Sequence, residues 1–330
     1  MLKEFGPDNF KVREKVADRP SMGRYASSCA WGSDIFHLRI DADEYTEASF
    51  RTYYPVFEKH AKALTVFFNA CSFRNSEKEV LKCRDLGIDI QSHAFYHYTY
   101  NDYASNRHNI HLAKEFFDSL GVETIGFAAP TGKWNASLMK ALEDEGYKYS
   151  SDFSYDYMAF PSYPLLCRRP SRVMEIPIFP VAPELFFQGT PCEEEIVLEY
   201  YKNAIDGLIA GGLPVIIYAH TSPAIREVPS LLEEIADYAV GKKGLRPVSM
   251  TGLFHMTDGK APVRENVSLP GETGKMPMEN FSGRRVRPGI FSAVKDALKE
   301  AIDFERITPE EELKCGHVKK ALKLLARKMT

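Results

Sequence analysis

IFHLRIDAD, Ile35 to Asp43, decides the fold: a short apolar and β-branched run that ends in acidic residues. Its apolar part, Ile35 to Asp41, has the length and composition of a buried strand. Similar runs recur at Leu64 to Phe68, Ile88 to Ser92, Thr124 to Ala128, Lys148 to Asp152, Met174 to Phe179, Pro214 to Ala219 and Leu245 to Ser249. Helical patterns separate them, and strands that alternate with helices make a parallel sheet with crossover connections. Eight such candidates predict a closed α/β barrel of the TIM-related kind. The helices carry their own punctuation. Ser76 opens one that Gly87 closes, and Asn135 and Gly146 bracket another. Thr190-Pro191-Cys192-Glu193 reads as a cap, a first-turn proline and a capping-box glutamate, opening a helix that ends near Gly211.

The barrel is expected over residues 35–258. Residues 1–34 hold Pro, Gly and Ser breakers and read as a leading segment packed on it. Residues 259–330 read as a Gly/Pro-punctuated linker (Gly259 to Gly289) and a helical extension, with patterns at Ser292 to Phe304 and Pro309 to Met329. The chain has 330 residues, 44% hydrophobic, 26% charged and 12% aromatic, which excludes disordered and fibrous classes. Its net charge of −3 is uneven: Ala261 to Thr330 carries 14 basic against 10 acidic residues, leaving 28 against 35 in the rest. An acidic body lacks the clustered basic surface that phosphates require, so nucleic acid is set aside as a partner. The six cysteines form no CxxC pair and read as reduced thiols. MLKEFGPDNFKVREKV has no apolar run of the signal-peptide kind and about 18 consecutive apolar residues occur nowhere, so the expected location is cytoplasmic. The basic amphipathic pattern from His317 to Lys328 suits either docking on its own domain or peripheral contact with the inner membrane face.

Parallel β/α barrels build their active sites from loops at the C-terminal ends of strands. Asp41 and Asp43 end the first candidate strand, where an aspartate pair serves equally well to cap the next helix. The third strand runs into His93-Ala-Phe-Tyr-His97, whose imidazoles meet at one point if the loop takes a helical turn. A second pair, His108 and His111, follows Asn106 and reads as the first turn of a surface helix. Two imidazoles and one carboxylate leave open positions on a metal for water and substrate, the mark of a catalytic site. Ala129-Pro130, Asp152 and His220 end further strands, and His220 is placed to protonate a leaving amine.

In order and content these motifs resemble the polysaccharide deacetylase family, the NodB-homology or carbohydrate esterase 4 group, from about Phe36 to His255. The resemblance implies a distorted (β/α)7 barrel. IDAD would supply Asp41 as catalytic base and Asp43 as metal ligand, and SHAFYH would supply His93 and His97 as the other ligands. SSD and YAH would supply Asp152, orienting His220 as general acid. The third motif departs from the pattern. The family's arginine before the Ala/Pro-Pro pair is replaced by Ala128 in GFAAPTGKWN, and Lys133 is a candidate substitute. LRIDAD, GFAAPTG and SSDFS are also similar to the ArnD-type deformylases, which act on an aminosugar linked to undecaprenyl phosphate.

The implied activity is hydrolysis of an acetyl or formyl group from an amino sugar of a cell-envelope polysaccharide or its lipid- or nucleotide-linked precursor. One divalent metal would serve, zinc first, with cobalt, nickel, iron and manganese equally compatible with the ligand types. Aromatic loops give a sugar surfaces to stack on or simply pack as core; Tyr96 and Trp134, with Pro130 and Lys133, are the candidates for substrate contact. Two alternatives stand beside this reading: a non-catalytic carbohydrate-binding barrel, suggested by Ala128, and a barrel amidohydrolase acting on a cyclic imide or ureide. Oligomeric state is not encoded in these motifs.

Overall fold

The computed structural model describes residues 32–43, 50–153, 161–166, 169–187, 192–222, 225, 228, 230–258, 261, 263 and 264. Nearly all of the expected leading segment and of the 259–330 extension, with the basic pattern from His317 to Lys328, lie outside them. Strand β1 (Ile35–Ala42) is the hub of a curled parallel sheet. Side chains alternate between the faces of a strand. Apolar Phe36, Leu38, Ile40 and Ala42 therefore share one face, and His37, Arg39 and Asp41 share the other, all of them buried.

Helix α1 (Tyr54–His60) crosses to β2 (Leu64–Phe68), the short α2 (Ala70–Phe73) and α3 (Glu77–Asp85) to β3 (Asp89–Ser92), and α4 (Tyr103–Ser119) to β4 (Gly126–Phe127). Helix α5 (Ala136–Asp144) leads to β5 (Tyr149–Ser150). A small three-stranded excursion follows, in which β6 (Tyr163–Leu166) pairs antiparallel with β7 (Arg169–Pro170) and parallel with β11 (Val263–Arg264). The sheet resumes at β8 (Met174–Glu175). Helix α6 (Glu194–Ala210) leads to β9 (Val215–His220), which pairs with β1 in parallel from Phe36 to Asp41. The seven staves run β9-β1-β2-β3-β4-β5-β8, and the Phe179 N–H donates to Ile216 O, joining the segment after β8 back to β9. This is the distorted (β/α)7 barrel.

The eighth candidate strand adds only a two-residue edge to the sheet: Arg246 and Pro247 (β10) pair with Ile35 and Phe36 at the start of β1, and Ser249 already caps α8 (Met250–Thr257), which follows α7 (Leu231–Ala236). The sixth is shorter than expected, since Pro177 and Pro180 interrupt the ladder. Asn135 caps α5 through a bond from the Leu138 N–H, as the sequence suggests, whereas Ser76 makes no side-chain cap. Helix α4 begins earlier than expected, capped by Asp102, and α6 begins after Glu193, with Thr190 and Pro191 outside the described residues. At Gly126 a Cβ would stand 2.1 Å from the Tyr149 ring, so only glycine lets that buried tyrosine lie across β4.

Candidate metal centre and the residues around it

Asp43 follows β1 directly, and His93 follows β3 directly. Strands β1 and β3 flank β2, so both residues reach the same mouth of the barrel. His97 arrives by a route other than the expected helical turn. Ala94 takes a left-handed backbone (φ 62°), which no helix tolerates, and the loop bends instead. Asn109 on α4 pins that bend: its amide donates to Tyr96 O (3.0 Å) and Tyr98 O (2.9 Å), and its oxygen accepts the Tyr96 N–H (2.7 Å). Asn106, one turn earlier, clasps the backbone of Tyr100 in the same way. The helix carrying the second histidine pair is thus the support of the first, while His111 itself points to Glu145 and Glu115.

Three atoms converge. Asp43 Oδ1 lies 3.0 Å from His93 Nε2 and 3.3 Å from His97 Nε2, and the two Nε2 atoms are 3.1 Å apart. His93 Nδ1 is 2.8 Å from Ala128 O, and a carbonyl only accepts, so Nδ1 carries a proton and Nε2 is the nitrogen turned toward Asp43. Asp43 Oδ1 is buried and accepts no hydrogen bond among the described residues, despite those two neighbours. A carboxylate oxygen and two imidazole nitrogens at about 3 Å from one another need a proton or a metal cation between them. Metal bonds of about 2.0 to 2.1 Å at tetrahedral angles give donor separations of about 3.3 to 3.4 Å. The set fits a divalent metal. Burial by itself would raise the Asp43 carboxyl, but His97 and His220 hold it well below the usual carboxylate range.

Asp41 stands beside this centre and is gripped from its own strand. Arg39 Nε donates to Asp41 Oδ1 (2.6 Å) and Nη2 to Oδ2 (2.5 Å), while Nη1 donates to Ser151 O. The guanidinium lies 5.0 Å from the Phe67 ring centre and 5.8 Å from that of Tyr218. Burial pushes Asp41 up, and Arg39 with His93 and His220 outweighs it, leaving the carboxyl below its ordinary range. The arginine absent at position 128 therefore comes from β1. Lys133 does not take that part: its ammonium lies over the Tyr98 ring at 5.0 Å. Arg39 is legible in the sequence, because it continues the polar alternation His37, Arg39, Asp41, Asp43 through an apolar strand.

His220 ends β9 with its Nε2 3.9 Å from Asp41 Oδ2. The partner on its Nδ1 is Glu184, from a 3₁₀ turn at Pro183–Phe186, and not Asp152. Burial disfavours the imidazolium, but the carboxylates of Glu184, Asp43 and Asp41 outweigh it and raise His220 to about 9. Asp152 instead accepts the Ala129 N–H (2.6 Å) and the Ser150 hydroxyl (2.9 Å). The same hydroxyl touches Glu175, whose other oxygen accepts the N–H groups of Asp152 and Phe153. Burial raises both carboxyls, and the Asp152 charge pushes Glu175 further up.

Tyr96 and Trp134 are only 4% and 6% exposed, packed against Phe95 and Phe153, which favours the core reading of these rings over sugar stacking. Pro130 is buried, and its carbonyl accepts the Thr131 hydroxyl. Among the described residues no helix is long and apolar enough to cross a membrane.

Solved structures of the same fold include a Mycobacterium smegmatis protein designated a polysaccharide deacetylase, with 16% identity, TM-score 0.56, and coverage of 68% of this chain and 82% of that one. A Pseudomonas aeruginosa PAO1 protein with the same designation matches at 18% identity and TM-score 0.55, covering 70% and 92%. PuuE allantoinase matches at 18% identity and TM-score 0.55, covering 68% and 90%. These likenesses establish the fold. No curated protein sequence matches the chain significantly. The polysaccharide deacetylase family model matches residues 37–150, about a third of the chain. That stretch, which supplies Arg39, Asp41, Asp43, His93 and His97, is similar to the polysaccharide deacetylase family.

Proposed function

We propose that the chain is a metal-dependent hydrolase that removes an acetyl or formyl group from an amino sugar of a cell-envelope polysaccharide or of its lipid- or nucleotide-linked precursor. The observation that carries this reading is the convergence of Asp43 Oδ1, His93 Nε2 and His97 Nε2, with the Asp41 and His220 side chains 3.9 Å apart beside it. Asp43, His93 and His97 would hold a divalent metal, zinc first among the candidates, which would supply Lewis acidity for the attacking water and the acyl carbonyl. Asp41 takes the proton of the attacking water, fixed in place by Arg39. That grip lowers its basicity but removes its freedom to turn away, and placement is worth more than driving force in such a step. His220, charged at neutral pH, gives its proton to the departing sugar nitrogen, and Glu184 on Nδ1 fixes the tautomer that presents Nε2. With Arg39 beside Asp41, Ala128 no longer argues for a barrel that binds without turnover.

The test is release of acetate or formate from N-acylated amino sugars, free, nucleotide-linked and polymeric, by zinc-loaded protein. A chelator should abolish release and added metal should restore it. Bound metal with no acyl release from any sugar, or hydrolysis of a cyclic ureide instead, would overturn the sugar assignment.

Glu184→Gln is expected to lower kcat by about 10²- to 10⁴-fold, the range general acids contribute. Its pH profile is more telling. An acid works in its protonated form, so the wild-type alkaline limb should fall near pH 9; with the Glu184 charge gone the His220 pKa drops toward 6.5 and the limb moves to lower pH. An alkaline limb that stays near 9 in the variant would contradict the pairing.

A further inference from the structure

The carbonyl that accepts from His93 and the N–H that donates to Asp152 belong to one peptide group. Ala128 O lies 2.8 Å from His93 Nδ1, and the Ala129 N–H of the same planar unit is donated to Asp152 Oδ1 at 2.6 Å. We propose that Asp152 is a positioning residue for the metal ligand His93, acting on it through the Ala128–Ala129 peptide. This rests on the metal reading above.

An amide whose N–H is held by an anion carries more negative charge on its oxygen, and hydrogen bonds in such a line strengthen one another. Ala128 O is thereby a stronger acceptor than an ordinary carbonyl, and His93, holding its Nδ1 proton less tightly, gives more electron density to a metal at Nε2. Carboxylates that bond directly to ligand histidines have this effect in many metal sites. Here a peptide is interposed. The line is dry: Ala128, Ala129 and His93 are at most 1% exposed and Asp152 is 6% exposed, so solvent does not screen it.

The charge is also kept on the right carboxyl. One hydroxyl proton on Ser150 cannot satisfy both Asp152 and Glu175. A proton on Glu175, the carboxyl that burial and the Asp152 charge push up, leaves the Ser150 hydroxyl to donate to Asp152. Asp152 thus stays anionic, and Glu175 Oε1 holds its backbone by accepting the Asp152 and Phe153 N–H groups. With Glu184 on His220, Asp152 is free for this work.

His37 provides an internal control. Its Nδ1 also donates to a backbone carbonyl, Val248 O at 2.9 Å, and it is also fully buried, but no carboxylate is bonded to the Ser249 N–H among the described residues. In ¹H–¹⁵N spectra of the metal-free protein, the His93 Nδ1 proton should resonate downfield of the His37 Nδ1 proton. Asp152→Asn keeps an acceptor for Ala129 and removes the charge. It should move the His93 proton upfield and weaken zinc binding about 10- to 100-fold in competition with a chromophoric chelator. The inference is overturned if wild type binds zinc while Asp152→Asn binds it equally well, or if the two histidine protons coincide in wild type. If wild type binds no zinc, the metal reading falls, and the His93 resonance still decides the relay. Should Asp152→Asn not fold, the wild-type comparison with His37 decides alone.

Discussion

Asp43→Asn is expected to abolish metal binding and turnover while the barrel still folds. The substitution is isosteric, and it exchanges a carboxylate oxygen that accepts no hydrogen bond for an amide that can donate toward His93 Nε2 and His97 Nε2, at 3.0 and 3.3 Å in the native geometry. It removes the only anionic ligand of the set, so zinc affinity should fall by more than the roughly 10- to 100-fold that changes outside the ligand shell cost. The sharpest readout is linkage. Zinc at a thousandfold excess over its Kd stabilises wild type by about 4 kcal/mol. That is roughly 8 to 16 °C in Tm, at 2 to 4 °C per kcal/mol for a domain of about 200 residues. In Asp43→Asn this zinc-dependent rise should vanish, with the cooperative melt of the metal-free protein retained. A variant that kept the full rise and its activity would show that the metal, if any, sits elsewhere.

The contrast between residues that could be read and those that could not has a physical basis. Strand β1 is legible because a buried parallel strand is a dense apolar run, and its period of two announces which side chains share a face. Asp41 and Asp43 stand out against that background. Arg39 obeys the same rule, at the position before Asp41 on the same face of the strand, whereas the family pattern places an arginine at position 128. Glu184 is different. It sits 36 residues from His220 in sequence, on a single 3₁₀ turn with no spacing motif, and only the approach of that turn to the end of β9 makes it a partner. Asp152 is visible as a residue, but its function hangs on a backbone N–H, and a backbone donor has no signature in side-chain order. The eighth strand misleads for a local reason: Leu245 to Ser249 has the composition of a strand, while Ser249, as the cap of α8, turns the chain into a helix after two paired residues. The Asn109 and Asn106 clasps bond only backbone groups of the His97 loop, which side-chain order does not mark.

Arg39→Met should be the most damaging single change to stability near the site. Methionine keeps apolar contact with Phe67 and Tyr218 but leaves Asp41, 2% exposed, as a buried charge without its bidentate partner. Breaking one side of a buried ion pair costs about 3 to 5 kcal/mol. The pH dependence fixes the cause. Without Arg39, burial raises the folded Asp41 pKa above its ordinary 3.8, so the neutral acid is the form the fold prefers. The loss is then full at pH above that raised value and shrinks as pH falls toward 3.8, the reverse of wild type, whose depressed Asp41 contributes stability above 3.8 and loses it as pH falls through the folded value. The double variant Arg39→Met/Asp41→Asn should recover much of the stability, because no buried charge remains, and none of the activity. Arg39→Lys separates placement from charge. One ammonium cannot hold both Asp41 oxygens and the Ser151 carbonyl, so kcat should fall on the order of 10²-fold with a smaller loss of stability. Denaturant unfolding of the four proteins between pH 4 and 8, with kcat at pH 7, decides the matter. If Arg39→Met costs as much at pH 4 as at pH 8, the damage is packing, and Asp41 is held by something other than its own strand.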